Sequence, residues 1–276
     1  MPASTITLRV EGDDAEVVRH REGLARKVLD YFDQHSTLPD WRVICLLDDT
    51  DFQELKLRAG EANRGIHLCL GKAALPGLIP QRFWDTLRPV DRATMKCLSV
   101  FDSVVYLHGS TCEADIGLAL CLGHELRHSF QYSTEPQICA VNTMLQYLPE
   151  PSNQNFTVWW DLPIEIDARV VAKAAAEAIF GPLAVENFLR TRAESASTDE
   201  DGKDWLFVLS IDTSAPYSFI EETRQFIRAY ASELKQIQEK PEWQNRPDFQ
   251  KLDFAAIAGV VGTESSVIRA ATEDRS

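Results

Sequence analysis

The sequence has no Cys-x-x-Cys pair and no run of about 18 apolar residues, the length of a membrane-spanning helix. Its six cysteines are scattered and lie mostly within apolar runs. This pattern predicts buried, reduced thiols and not a disulfide framework. The first twelve residues alternate apolar and polar types, unlike a secretory signal. We therefore expect a cytoplasmic protein that has no membrane partner; an exported, disulfide-bonded protein is the alternative.

Basic residues are in the minority, with 28 Lys and Arg against 42 Asp and Glu and a net charge of −14. An acidic surface repels the phosphate backbone of DNA and RNA, so we expect no nucleic-acid partner. The chain has 276 residues, of which 45% are hydrophobic. This composition is that of an ordinary globular protein, which needs neither disulfides nor a metal merely to fold.

Hydrophobic periodicity predicts an α+β fold, with strands in the first half and helices in the second. Alternating or wholly apolar runs predict strands at residues 5–11, 41–47, 66–70 and 104–107. Apolar residues at helical spacing predict helices at residues 14–34, from 113 onward, from 163 to about 180, and at 217–238. The polar, acidic stretch 194–204 is the best candidate for a linker. We therefore expect a region 1–193 that contains the chemistry and a helical region 194–276 packed on it.

The motif that predicts chemistry is His-Glu-Leu-Arg-His at residues 124–128, within a predicted buried helix. His124 and His128 are four residues apart, so their imidazoles lie on one helical face and can share a tetrahedral zinc ion. Glu125 is rotated by about 100° from His124, which lets it reach a water molecule in the open coordination position. A chance match on a buried helix is the competing interpretation, but burying these groups without a metal is costly.

A catalytic zinc needs a third protein ligand, and no histidine follows His128 in the sequence. The next helix supplies Glu165, in the first turn after Pro163, where the helix dipole tolerates a carboxylate. Ala168 keeps the same face narrow enough for close packing against the His-Glu-x-x-His helix. Asp167 is the rival ligand, but it points about 200° away from Glu165 on a helix, so only one of the two can face the metal.

Residues 124–131 (HELRHSFQ), followed by 163–168 (PIEIDA), resemble the zincin metallopeptidases of the gluzincin type. The resemblance covers about residues 100–180 and implies a zincin-like fold in which a sheet backs the His-Glu-x-x-His helix. It also implies that His124, His128 and Glu165 bind zinc, that Glu125 is the general base, and that the substrate is a protein or peptide. The third-histidine pattern of the metzincins is absent from the sequence.

The residue that would stabilise a tetrahedral oxyanion stays open at this stage. The candidates are Tyr132, Tyr217 and Tyr230, together with His108, which ends the strand before the motif helix. Gln131 lies three residues beyond His128, near the metal face, and either contacts substrate or the Glu165 helix or has a structural role.

We therefore expect a zinc-dependent hydrolase that cleaves peptide bonds with metal-activated water. Two alternatives remain. One is a zinc hydrolase of a different amide or ester, and the other is a non-catalytic binding or regulatory protein with a structural zinc site. The intact Glu125 argues against the second, because a structural site needs no such carboxylate.

Overall fold

The computed structural model describes residues 6–10, 14–35, 42–47, 65–69, 101–107, 109–148, 161–244 and 247–259. Within these ranges, the strands are β1 (Ile6–Val10), β2 (Val43–Leu47), β3 (Gly65–Cys69) and β4 (Ser103–Leu107). Each coincides with a strand predicted from the sequence. The described fold is therefore a mixed α/β arrangement with its strands in the first half, which agrees with the predicted α+β class.

Helices make up most of the remaining described chain. They are α1 (Ala15–His35), α2 (Asp115–Thr134), α3 (Pro136–Leu145), α4 (Pro163–Phe180), α5 (Pro182–Glu194), α6 (Asp199–Ser210), α7 (Phe219–Gln238) and three single-turn helices, α8 (Pro241–Gln244), α9 (Pro247–Gln250) and α10 (Phe254–Ile257). A 3-10 turn at Gly109–Glu113 leads into α2. None of the helices in the described ranges is long and apolar enough to cross a membrane.

The strands form one sheet in the order β1-β2-β4-β3. β1, β2 and β4 are parallel, with Ile6 opposite Val43 and Val43 opposite Ser103. β3 runs antiparallel to β4, and His67 is opposite Val105. Every residue of β2 and β4 is buried, as expected for central strands that are covered on both faces.

The motif helix α2 packs on β3 and β4 and also on α1. Leu118, Leu122 and Leu126 are at most 1% exposed, and their four-residue spacing places them on one helical face. Burying each of these side chains contributes about 1.5–3 kcal/mol of hydrophobic stabilisation. The predicted sheet behind the His-Glu-x-x-His helix is thus present, and α2 is anchored to it through this leucine face.

Helix α4 approaches α2 very closely at a glycine. A Cβ atom added to Gly123 would lie 3.1 Å from Cα of Ala172 and 3.4 Å from its Cβ. Ala168 and Ala172 are buried and share a face of α4, because they are four residues apart. The small side chains predicted for this face therefore permit the contact. Helix α4 ends at Phe180, before Gly181 with φ 85°, a backbone conformation that favours glycine.

The chain divides into two compact units. The first contains residues 1–74, 78–134 and 168–216, and therefore the sheet, α1, α2, most of α4, α5 and α6. The second contains residues 75–77, 135–167 and 217–276, with α3, the first turn of α4, and α7 to α10. The division falls inside α4, after Asp167. The predicted regions 1–193 and 194–276 stay a prediction.

One expectation about local structure was wrong. Residues 194–204 were expected to form a linker, but α6 begins at Asp199 and packs extensively on α5. The hydroxyl of Thr198 accepts a hydrogen bond from the backbone N–H of Asp201, which caps the helix. Acidic residues follow in the first turn, where the helix dipole favours them. The polar composition is therefore that of a capped helix start.

Candidate metal centre

The two motif histidines point their Nε2 atoms toward each other. On α2, His124 Nε2 and His128 Nε2 lie 3.1 Å apart, and the ring centroids are 4.7 Å apart with nearly perpendicular planes. Two nitrogen ligands at about 2.0–2.1 Å from one tetrahedral zinc ion are about 3.3 Å from each other. The pair is therefore preset at the separation that a shared metal ion requires. The i, i+4 spacing on an unbroken helix is sufficient to produce it.

Glu165 on α4 offers a carboxylate oxygen to the same place. One ligand atom each from His124, His128 and Glu165 lies within 4.8 Å of the other two. Glu165 is three residues before Ala168 and seven before Ala172, so it shares the face of α4 that approaches α2 at Gly123. The position of the Glu165 carboxylate follows from this face, because Glu165 lies on it two turns before Ala172.

Asp167, the rival ligand, does not belong to this group of ligand atoms among the described residues. It is 3% exposed and lies close enough to Tyr217 to act on its ionisation. Burial raises the pKa of Tyr217, and the negative charges of Glu222 and Asp167 add to the effect. The geometry thus separates the two carboxylates as their spacing predicts, while the assignment of ligands stays a prediction.

Glu125 follows His124 on α2 and is partly exposed, whereas His128 is 8% exposed. Its side chain leaves the helix about 100° away from that of His124. It is therefore directed away from the face that His124 and His128 share, and it is not one of the three grouped ligand atoms. A partly exposed carboxylate outside such a group is of the kind that transfers protons in hydrolases.

Gln131 orients the ring of His128 by a side-chain hydrogen bond. The side-chain oxygen of Gln131 accepts a hydrogen bond from Nδ1 of His128 at 2.8 Å, and Gln131 is 1% exposed. A proton on Nδ1 leaves the lone pair of Nε2 for a metal. Of the two roles considered from the sequence, the geometry favours the structural one, in which Gln131 acts through His128.

Sequence reasoning missed His67, which lies on β3 beside the motif histidines. Its ring centroid is 6.0 Å from that of His128 and 5.4 Å from that of Tyr132. His67 Nε2 is 2.8 Å from Ser103 Oγ, which is 2.7 Å from Ser129 Oγ. Ser103 and Ser129 are fully buried, so this chain connects β3 and β4 to α2 in the core. The available signal was a lone histidine in the apolar strand IHLCL.

Tyr132 is the oxyanion candidate that lies with the motif, because its ring packs against His67 on the same side of α2 as His128. Tyr217 donates from its hydroxyl to the carbonyl oxygen of Pro163 at 3.4 Å. That contact places it at the first turn of α4, two residues from Glu165.

The other two oxyanion candidates are not brought to the motif by any described contact. Tyr230 lies at a kink in α7, where its φ and ψ are −126° and 29°, and its ring stacks on Phe226 at 6.2 Å. His108 lies outside the described residues. The choice among the four candidates stays open.

The donor set fits zinc. Two imidazole nitrogens and one carboxylate oxygen are the ligands of the His₂Glu catalytic zinc sites, which keep a fourth position for water or substrate. His124 and Glu165 are partly exposed as residues, whereas His128 and the Oε2 atom of Glu165 are buried. Imidazole ligands favour zinc over the harder ions magnesium and calcium, which prefer oxygen-only sets.

Comparison with known proteins adds no relative: no family model matches the chain, and no curated sequence or solved structure is significantly similar to it.

Proposed function

We propose that this protein is a zinc-dependent peptidase of the zincin type, with His124, His128 and Glu165 as the zinc ligands and Glu125 as the general base. The observation that carries the proposal is the convergence of one ligand atom each from His124, His128 and Glu165, all within 4.8 Å of one another. Glu125, the next residue after His124 on α2, supplies the carboxylate. The sheet packed behind α2 is consistent with the zincin arrangement.

A zinc ion bound by these residues would supply Lewis-acid chemistry that lowers the pKa of a water molecule to near neutrality. Glu125 would take a proton from the attacking water on its carboxylate and pass it to the nitrogen of the leaving amine, so that the carboxylate is restored. His128, whose Nδ1 donates to Gln131, would keep its Nε2 lone pair available for a metal.

The position of β3 favours an extended peptide as the substrate. Among the described strands, β3 is at one end of the sheet, and its central residue His67 lies beside His128. A strand at the end of a sheet offers backbone N–H and C=O groups to an incoming extended chain. A peptide paired there would run past the metal ligands.

Two other functions compete with this proposal. A structural zinc site uses four protein ligands in a closed shell, whereas the group found in the described residues has three. A zinc hydrolase of a different amide or ester would use the same residues, and only its choice of substrate would differ. We prefer a peptide over a different amide or ester as the substrate, because His67 of β3 lies next to His128.

We also propose that the protein acts in the cytoplasm. The cysteines lack the spacing of disulfide frameworks. Cys45 is fully buried in β2, and burial raises the pKa of its thiol to about 12. It therefore stays protonated and chemically inert at neutral pH.

The decisive experiment is single-turnover cleavage of a peptide substrate, found in a broad peptide library, by wild type and Glu125→Gln at matched zinc occupancy. The substitution keeps the size of the side chain but removes its basic carboxylate. We expect the variant to fold and retain zinc, while its rate falls by at least about 10²-fold, mainly in the catalytic step. Cleavage by the wild type should also be lost with chelator and recovered with zinc.

Glu186→Gln is the matched control, because Glu186 is an exposed residue of α5 that pairs with Arg190. Its rate should equal that of the wild type. Equal rates for Glu125→Gln and the wild type would exclude Glu125 as the base. No cleavage of any peptide by the zinc-loaded wild type would favour the binding or regulatory alternative.

A further inference from the structure

We infer that Asn142, a buried residue of α3, is a positioning residue for Glu165: its side chain caps the first turn of α4 and so fixes the carboxylate for metal binding. This inference depends on the proposed zinc site. Asn142 belongs to neither sequence motif, and it is one of the few polar residues on the otherwise apolar helix α3.

Asn142 is 1% exposed, and its amide group is held from three directions. The Nδ2 atom donates to the carbonyl oxygen of Ile138 at 2.9 Å and to the hydroxyl of Thr223 on α7 at 2.8 Å. The Oδ1 atom accepts a hydrogen bond from the backbone N–H of Ile164 at 3.2 Å. Two donor contacts thus orient the amide so that its oxygen faces the start of α4.

The start of α4 needs an acceptor that its own sequence lacks. The first backbone N–H groups of a helix have no partner within the helix, and a Ser, Thr, Asp or Asn just before it normally supplies one. Here that position is occupied by Leu162, whose side chain has no acceptor. Pro163 has no N–H, and the N–H groups of Glu165 and Ile166 both bond to the Leu162 carbonyl. The remaining backbone N–H group of this turn, that of Ile164, donates a hydrogen bond to Oδ1 of Asn142.

This cap acts on the residue next to the proposed ligand. Glu165 directly follows Ile164, so the Asn142 contact determines where the first turn begins and in which direction the carboxylate leaves it. A first turn without a cap frays, and fraying would move Glu165 before it moved the rest of α4. Loss of a helix cap ordinarily lowers only helix stability, whereas loss of the Asn142 cap should also lower the affinity of the proposed site for zinc.

The test is a double-mutant cycle on zinc affinity, measured by chelator competition on the full-length protein. Asn142→Leu removes the cap with little change in volume. In the wild-type background it should weaken zinc binding by about 10–100-fold, the range for groups that orient a ligand. In the Glu165→Ala background it should cause no further loss, because the residue it positions is gone. Thr198→Ala, which removes the side-chain cap of a different helix, α6, should leave zinc affinity unchanged.

Each outcome bears on the inference. Equal loss in both backgrounds would mean that Asn142 acts on overall stability and not through Glu165, and no loss in the wild-type background would overturn it directly. If wild type binds no zinc, both the inference and the proposed function are wrong, whereas the first two results leave the function intact. Should Asn142→Leu fail to fold, Thr223→Val enters the same cycle, because it removes the hydroxyl that orients the Asn142 amide.

Discussion

The two sides of the candidate metal centre are built differently. His124 and His128 come from one helix, and four residues of regular α2 suffice to bring their Nε2 atoms to 3.1 Å. Glu165 reaches the same place from α4, which depends on the Gly123–Ala172 approach and on the cap that Asn142 supplies to its first turn. The histidine pair depends on local helix geometry alone, whereas the position of Glu165 depends on contacts between segments that are distant in sequence.

This difference predicts which substitutions matter. On the α2 side, only the ligands themselves and the residue that orients them should affect metal binding, because the helix is anchored by its leucine face. On the α4 side, residues that position the helix should affect metal binding even though they are not metal ligands. The following predictions test that contrast, beginning with the largest expected effect.

His124→Ala should remove most of the zinc that copurifies with the protein, which we expect to be about one ion per chain in the wild type. The remaining two ligands cannot hold a tetrahedral ion tightly. Elemental analysis after purification without chelator measures this directly. A wild-type protein that contains no zinc even after reconstitution would contradict the whole assignment.

Glu165→Ala should weaken zinc binding by more than any change among its neighbours, that is, by more than about 100-fold. Asp167→Ala should weaken it by on the order of 10–100-fold at most, because Asp167 lies outside the ligand group. A competition titration with a metal-binding dye gives both constants. The reverse ranking would identify Asp167 as the ligand and would show that the first turn of α4 is oriented differently.

Gly123→Val tests the close approach of α2 and α4. A Cβ at this position would already lie 3.1 Å from Cα of Ala172, so the branched side chain must push the helices apart. We expect a loss of about 1–3 kcal/mol in the free energy of unfolding, measured in urea without zinc. Zinc affinity should fall as well. Gly117→Ala is the control, and it should change neither stability nor zinc affinity strongly. Its added Cβ would lie 3.4 Å from the end of the Phe188 ring, an ordinary contact distance.

Gln131→Leu should have the smallest effect, about a 10-fold loss of zinc affinity, the lower end of the range for a group that orients a histidine ligand. It removes the acceptor for His128 Nδ1 while keeping the volume of a buried side chain. Isothermal titration with zinc provides the constant. If the loss matched that of Glu165→Ala, the α2 side would be no more robust than the α4 side.

Sequence reasoning succeeded where structure follows from neighbours along the chain. Alternation and periodicity located the described strands and both helices of the centre, and the His-Glu-x-x-His spacing led to the histidine pair. Glu165 was chosen because it lies in the first turn after Pro163 and shares a face with the small Ala168, and its place among the grouped ligand atoms agrees with that choice. The predicted end of this helix at about residue 180 agrees with the observed end at Phe180.

What sequence reasoning missed depends on contacts between distant segments. His67 is separated from Ser103 by 36 residues, and Asn142 from Thr223 by 81. Neither pair leaves a pattern along the chain, since a single histidine in a strand or asparagine in an apolar helix resembles an ordinary core residue. The start of α6 did carry a signal, the cap at Thr198, but acidic composition was taken as evidence for a linker.

The order of the strands has a consequence for how the centre forms. β2 is parallel to both β1 and β4, so the sheet cannot close until the chain has been made as far as Leu107. Pairings of this kind between distant segments are slow to form. During synthesis the histidine helix emerges directly after the last strand, while Glu165 and Thr223 emerge later. The nascent protein therefore passes through a stage that has both motif histidines but not Glu165, so the proposed metal centre would be complete only late in folding.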